Sequence, residues 1–291
     1  MRHVRLLLAT VLSSSVLTVA SGVGAVAHAS TTPSLASCKT SIDSQEYVKG
    51  TLTVATDSPG YTPWFVNNKP SNGQGYESAV VYAIANELGV AKNKVKWTVE
   101  PFDSSYIPGP KHFDFDINEI SYTADRAKAV TFSVSYYDVN QSIVSLKTNP
   151  IVKKHTPAEL KTYLYGDQIG TTGLAYIDNY IKPTRAPRVF STLADAVLAL
   201  QTKQIDAIVI DTPTGQYMAT SQVVNSKQQA IGDQVGQFPT VGEHYGLLFQ
   251  KGNPLAVCVN VAINALKSSG QLKKLETKWL GIYTSVPLLK P

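Results

Sequence analysis

Reactive and metal-ligating side chains are scarce in this chain. Its 291 residues include two cysteines and five histidines. Two of those histidines, His3 and His28, fall in an N-terminal segment that looks removable. His112, His155 and His244 are scattered, and none pairs with a cysteine at ligand spacing, which argues against a structural metal. Gly-x-Ser-x-Gly, His-Glu-x-x-His and the P-loop pattern are all missing, so the familiar signatures of acyl transfer, metalloproteolysis and phosphate-loop chemistry are absent. No cofactor is expected. Charge is thin as well: the formal excess is +5, with no run of five or more like charges, which does not suggest nucleic acid or a membrane surface as partner. There is no internal repeat and no low-complexity tract in the body of the chain.

What is present begins with export. Arg2 and Arg5 precede an apolar stretch, Leu6 to Val19, too short to span and stay, and Ala27-His28-Ala29 fits a small-residue cleavage site. Residues 1–29 therefore read as a signal peptide rather than an anchor, because Ser and Gly interrupt the stretch and no basic flank follows it. Cleavage removes two arginines and no acid, leaving +3. In an exported chain the pair Cys38 and Cys258 is first read as a disulfide. The alternatives are lipidation of Cys38, since Leu35-Ala36-Ser37-Cys38 has the letters of a lipoprotein box, or two free thiols. The polar stretch His28–Ser34 separates that box from the apolar segment and favours the bridge.

Residues 30–43 are Ser/Thr-rich and are expected to form a flexible leader. Beyond them the pattern alternates. Thr51–Thr56 reads as a strand, Glu77–Leu88 as a helix with apolar Val80, Val81, Ile84 and Leu88, and Val95–Val99 and Phe113–Ile117 as strands. Extended runs at Ala129–Phe132 and Gln141–Leu146 lead into a second series. There Gln168–Gly170, Val189–Phe190 and Asp206–Ile210 read as strands, with helices at Gly173–Ile181, Leu193–Gln201 and Thr212–Ala219. Tyr245–Phe249 reads as a strand, and Leu255–Ser268 and Leu272–Leu280 as helices. Two βαβ series, each of about a hundred residues, predict two α/β lobes with parallel sheets and a cleft at the strands' carboxyl ends.

Three stretches could recognise a zwitterion. Ser121-Tyr-Thr-Ala-Asp-Arg126 follows a strand, and a guanidinium there can take a carboxylate bidentately. Gly170-Thr171-Thr172-Gly173 opens a helix, whose first amides favour an anion. Asp211 ends the Ile-Val-Ile210 strand, a natural partner for an ammonium. Each has a plainer alternative: Arg126 as a solvated surface arginine, Thr171 and Thr172 as helix caps, and Asp211 as the cap of the helix that Pro213 begins.

From about Gly50 onward the chain resembles the bacterial extracellular solute-binding proteins, family 3, the polar amino-acid-binding components of ABC importers. Leu52-Thr-Val-Ala-Thr-Asp57 with Pro63-Trp64 carries the resemblance, as does Ser121-x-Thr-x-x-Arg126-Ala-Lys-Ala-Val-x-Phe-Ser133. Tyr136-Tyr137, Gly170-Thr-Thr172, Asp206-Ala-Ile-Val-x-Asp211 and Lys278-Trp-Leu280 complete the set, in the family's order. The resemblance implies a two-lobed periplasmic-binding-protein-like α/β fold (type II). It gives the ligand carboxylate to Arg126 with Ser121, and to Thr171 and Thr172 from the other lobe. The ammonium falls to Asp211, with Asp57 nearby, and Tyr61, Trp64 and Phe102 flank the side chain. Glu119 stands where the family commonly has a small residue, often Gly, and Tyr122 where a small aliphatic is usual.

The expectation is an exported monomer that is not an enzyme. It would capture an amino acid with a polar, amide or cationic side chain by hinge closure and pass it to a membrane ABC permease. Lobe one is placed at 44–138 plus 240–291 and lobe two at 139–239. A rival from another class is a cleft enzyme of the same fold, a prephenate- or arogenate-type dehydratase with Glu119 as its acid.

Overall fold

The computed structural model describes residues 32–239 and 242–289. The expected signal peptide, its cleavage before Ser30 and the first residues of the leader lie outside the described residues. Every element below belongs to one compact unit, Pro33–Pro291. Among the described residues no helix is long and apolar enough to cross a membrane.

Lobe one is built on a five-stranded sheet. Leu52–Thr56 lies between Val95–Val99 and Phe115–Asp116, parallel to both, and Leu248–Gln250 continues the sheet antiparallel to Phe115–Asp116 and to Val130–Phe132. The helix Tyr76–Glu87 covers one face, with Val80, Val81 and Ile84 fully buried and Leu88 buried just beyond its end. The helix Leu255–Ser268 adds Leu255, Val259, Ala262, Ile263 and Leu266 at the same helical spacing. Burial of each such side chain is worth about 1.5–3 kcal/mol, so these stripes fix both helices to the sheet. Gly75 starts the first helix at φ +98°, and a Cβ there would meet the Trp64 carbonyl oxygen at 2.2 Å, so the turn accepts glycine alone.

Lobe two departs from the expected parallel sheet. Gln141–Leu146 runs antiparallel to both Ala207–Asp211 and Gly232–Phe238. Gly166–Gln168 and Arg188–Phe190 are parallel to each other, and the bridge Tyr165 to Ala207 joins them to the rest. The antiparallel strand is the one that arrives directly from lobe one, so no crossover helix precedes it and nothing forces a parallel direction. Apolar side chains cover both faces of this sheet.

The two passages between lobes run side by side. Tyr137–Asp138 pairs antiparallel with His244–Tyr245, and Val139 donates its N–H to the Glu243 carbonyl at 3.1 Å.

Two expected boundaries change. The described part of the expected leader carries structure: Leu35–Ser41 is a helix capped by the Ser34 hydroxyl, and Ile42 beyond it is buried. Cys38 is fully buried and bonded to Cys258, so the bridge ties this segment to the helix Leu255–Ser268. At the other end, Pro287 and Leu289 pair with Gln237, and Leu289 is buried in lobe two rather than lobe one. Strand pairing and one apolar side chain carry the tail across.

Candidate functional site

Between the lobes lies a cavity of about 470 Å³. Nine of the ten residues expected to bind ligand line it: Asp57, Tyr61, Phe102, Glu119, Ser121, Arg126, Thr171, Thr172 and Asp211. Trp64 does not. Its ring is fully buried among Tyr76, Tyr137 and Tyr245, with centroids 6.0, 5.6 and 5.6 Å away, so it belongs to the lobe-one core. The polar edge of that ring still points toward lobe two, where Nε1 donates to Thr214 Oγ1 at 2.7 Å.

Arg126 opens the one-turn helix Arg126–Ala129, and its own N–H is held by the Thr123 hydroxyl at 3.1 Å. It is no solvated surface residue, being 8% exposed. Nη1 donates to the Ser121 carbonyl at 2.7 Å, and Nη2 donates across the cleft to the Gly170 carbonyl at 2.8 Å. The guanidinium also lies over the Tyr106 and Phe102 rings, at 4.8 and 5.4 Å. Burial lowers its pKa, opposed by Tyr106, Asp211 and Glu243, and an arginine stays charged through such a shift. The two carbonyls occupy two of its five N–H donors, so donors remain for a carboxylate.

Asp211 ends the strand Ala207–Asp211. The capping alternative fails, because its side chain makes no cap bond to the helix that follows. Instead Gln141 Nε2 lies 2.5 Å from its carboxylate, 3.1 Å from Glu243 and 3.3 Å from Thr172 Oγ1. Burial pushes Asp211 up to about 7, and Glu243 pushes the same way, while Tyr245, Gln141 and Arg126 pull it down. Thr171 does cap its helix, accepting from Leu174 N at 3.1 Å and donating to Gln168 O at 2.9 Å. The Ser121 hydroxyl donates to Glu243 at 3.0 Å.

Glu119 adopts φ +53°, a left-handed conformation that glycine accepts most readily. Its N–H is held by Glu77 at 2.7 Å, and its carboxylate accepts from the Thr214 hydroxyl. Burial raises its pKa well above the usual carboxylate range, and Glu77 and Asp211 add to the rise. Glu77, itself fully buried, accepts from the Tyr136 hydroxyl and is pushed up to about 7, chiefly by burial. Asp57 accepts from Ser58 N at 2.6 Å and Phe102 N at 3.4 Å, and burial raises its pKa too. Among the described residues five carboxylates line the cavity (Asp57, Asp103, Glu119, Asp167 and Asp211) against one cation, Arg126. No group of three or more His, Cys, Asp or Glu among the described residues is placed to hold a metal ion.

Sequence reasoning missed Gln141, Thr214 and Glu243, which join the lobes around these groups. A glutamine opening an otherwise Ile/Val/Leu-rich strand was the available signal for the first.

The model of bacterial extracellular solute-binding proteins, family 3, matches residues 52–282. The chain belongs to that family. The arginine-binding periplasmic protein of Mannheimia haemolytica is 25% identical over 225 residues, 77% of this chain and 89% of that protein. A solved ancestral arginine-binding protein bound to glutamine has TM-score 0.67 and 27% identity, covering 80% of this chain and 99% of its own. An ancestral amino acid-binding protein, a precursor of cyclohexadienyl dehydratase, has TM-score 0.65 and 26% identity, covering 84% and 99%. Membership makes this protein an extracytoplasmic solute receptor of the ABC-importer type, with a type II two-lobed fold.

Proposed function

We propose that the solute is an α-amino acid with a polar, amide or cationic side chain, held between the lobes and delivered to a membrane ABC permease. The observation that carries this is Arg126 and Asp211 lining one cavity from opposite lobes. A guanidinium with free donors suits the α-carboxylate, and a carboxylate at a strand end suits the α-ammonium. Thr172 supports the carboxylate from lobe two, and Tyr61 and Phe102 form apolar flanks. Ligand contacts on both walls favour the closed form over the open one. Relatives whose names specify arginine or amino-acid binding support the class. Surplus carboxylates disfavour an acidic side chain, since like charges in a buried cleft are costly.

Export fits residues 1–29 as a signal peptide cleaved after Ala29. The bridge to Cys258 occupies the thiol that a lipid anchor at Cys38 would need. The dehydratase alternative draws no support from Glu119, whose carboxylate is engaged by Thr214.

A thermal-shift screen of the mature protein over the twenty amino acids tests the proposal. At saturation the true ligand should stabilise by about 3–4 kcal/mol. If no amino acid raises Tm, the proposal is wrong.

A further inference from the structure

One carboxylate on the lobe-two wall has no role in the contacts above. Asp167 is the middle residue of the strand Gly166–Gln168, is 1% exposed and lines the cavity. The neighbouring bridge of Tyr165 to Ala207 is parallel, which sets Asp167 level with Val209 and places Asp211 two residues further along the same strand. Oδ1 accepts from the Gln168 N–H at 2.7 Å, the residue next in chain. Among the described residues Oδ2 has no hydrogen-bond partner. Room for that oxygen is left by Gly173, another cavity residue. A Cβ there would lie 2.6 Å from Oδ2 and 2.1 Å from the Val209 carbonyl oxygen. Burial, and then Asp211, raise the Asp167 pKa well above the usual range, against the pull of the Gln168 N–H.

A buried carboxylate oxygen without a donor is costly unless something supplies one. Arg126, the single cation of the cavity lining among the described residues, is bonded to the Ser121 and Gly170 carbonyls. An α-amino acid with a neutral side chain brings one ammonium and one carboxylate. Those groups match Asp211 and Arg126, while Asp103 is exposed, Asp57 accepts from two N–H groups and Glu119 accepts from Thr214. Among the described residues that leaves the Asp167 oxygen as the one lining acid oxygen buried without a donor. A second cation on the ligand would supply its donor.

We infer that Asp167 is a specificity-determining residue of this cleft, its free oxygen accepting from a cationic side-chain group, so that the solute is a basic α-amino acid. The inference rests on the proposed amino-acid function and narrows it. Calorimetry of the mature protein with arginine, lysine and glutamine tests it, comparing wild type with Asp167→Asn. The variant keeps the side chain's size and the acceptor for Gln168, so without ligand it should melt close to wild type. Wild type should prefer arginine or lysine to glutamine, and in Asp167→Asn that preference should shrink by about tenfold or more. An unchanged preference with binding intact would make Asp167 a structural acid and overturn the inference while the amino-acid function stands. Wild-type preference for glutamine overturns it as well, whatever the variant does. Failure of all three to bind a folded wild type is a different result, which removes the inference and sends the amino-acid function back to the full screen.

Discussion

Lobe one gathers most of its apolar side chains into one cluster that runs from Cys38 to Leu280, closed by the Cys38–Cys258 bridge. Lobe two divides its own between the two faces of its sheet and has no covalent tie. The cleft inherits the difference. From lobe one, Glu119 and Arg126 are held by Glu77, Ser121 and Thr123, and Trp64 is buried beside them. From lobe two, Asp211 stands at a strand end, Thr171 caps the helix Thr172–Tyr176, and Thr214 lies in the first turn of a different helix, Thr212–Tyr217. A firm wall thus faces one assembled from element termini, and perturbations should separate the two.

The largest effect should come from Arg126→Ala. A ligand carboxylate left unpaired in the closed cleft costs about 3–5 kcal/mol, so binding should fall below detection by calorimetry. Tm without ligand should stay close to wild type, since the side chain's partners are two carbonyls at the cleft and two half-buried rings, Tyr106 and Phe102. Near-normal affinity would mean the guanidinium serves the lobe contact alone.

The disulfide ranks next. Cys38→Ser with Cys258→Ser opens a loop of 220 residues, and chain-entropy arguments put the loss at up to about 5 kcal/mol. Denaturant titration should show this loss while affinity holds, because neither cysteine lines the cavity. A comparable loss of affinity would show that lobe one transmits its stability to the cleft.

Much of this was legible in the sequence. Helical spacing located Tyr76–Glu87 and Leu255–Ser268, and the run Asp206–Ile210 marked the central lobe-two strand. The misses have physical causes. Gly232–Phe238 has neither β-branched density nor alternation, and it is a strand because Gln141–Leu146 pairs with it. Trp64 looked like a cleft aromatic, yet three tyrosines distant in sequence enclose it. Residues 35–41 looked like part of a leader because their surroundings are polar, while they form a helix bonded through Cys38 to a residue 220 positions away. Asp167 and Thr214 have no local signature, since only tertiary contacts give them roles.

pH should separate the walls more gently. Asp211 sits at about 7, raised above the unfolded value of about 4. Without ligand, the stability it contributes is fully present below that unfolded value and is lost as pH rises through 7. Glu77, also at about 7, adds to that trend but does not line the cavity. An α-ammonium needs Asp211 ionised, so affinity should run the other way, weakening by up to about tenfold per unit below pH 7. Calorimetry between pH 5.5 and 8 measures this, and Asp211→Asn should flatten the profile. A flat wild-type profile would remove Asp211 as the ammonium partner.

The smallest effect concerns the contact that joins the two walls at Thr214. Its hydroxyl accepts from the Trp64 indole and donates to the Glu119 carboxylate, so one lobe-two oxygen satisfies two lobe-one groups. Trp64 is fully buried, so its N–H has no route to water while the lobes are together. Thr214→Val keeps the shape and removes both bonds. The closed form should then lose about 1–2 kcal/mol, the cost of stranding buried polar groups. The open form loses nothing, because water reaches both partners when the walls part. Affinity should therefore fall by roughly five- to thirtyfold, with the unliganded Tm lowered only to the extent that the unliganded protein is closed. Thr214→Ser, which keeps the hydroxyl, should restore wild-type affinity. Small-angle scattering without ligand gives the independent check: Thr214→Val should be more extended than Thr214→Ser. Equal dimensions and equal affinity in the two variants would show that the walls are held together by Arg126 and Gln141 alone, and that the firm wall needs nothing from this helix.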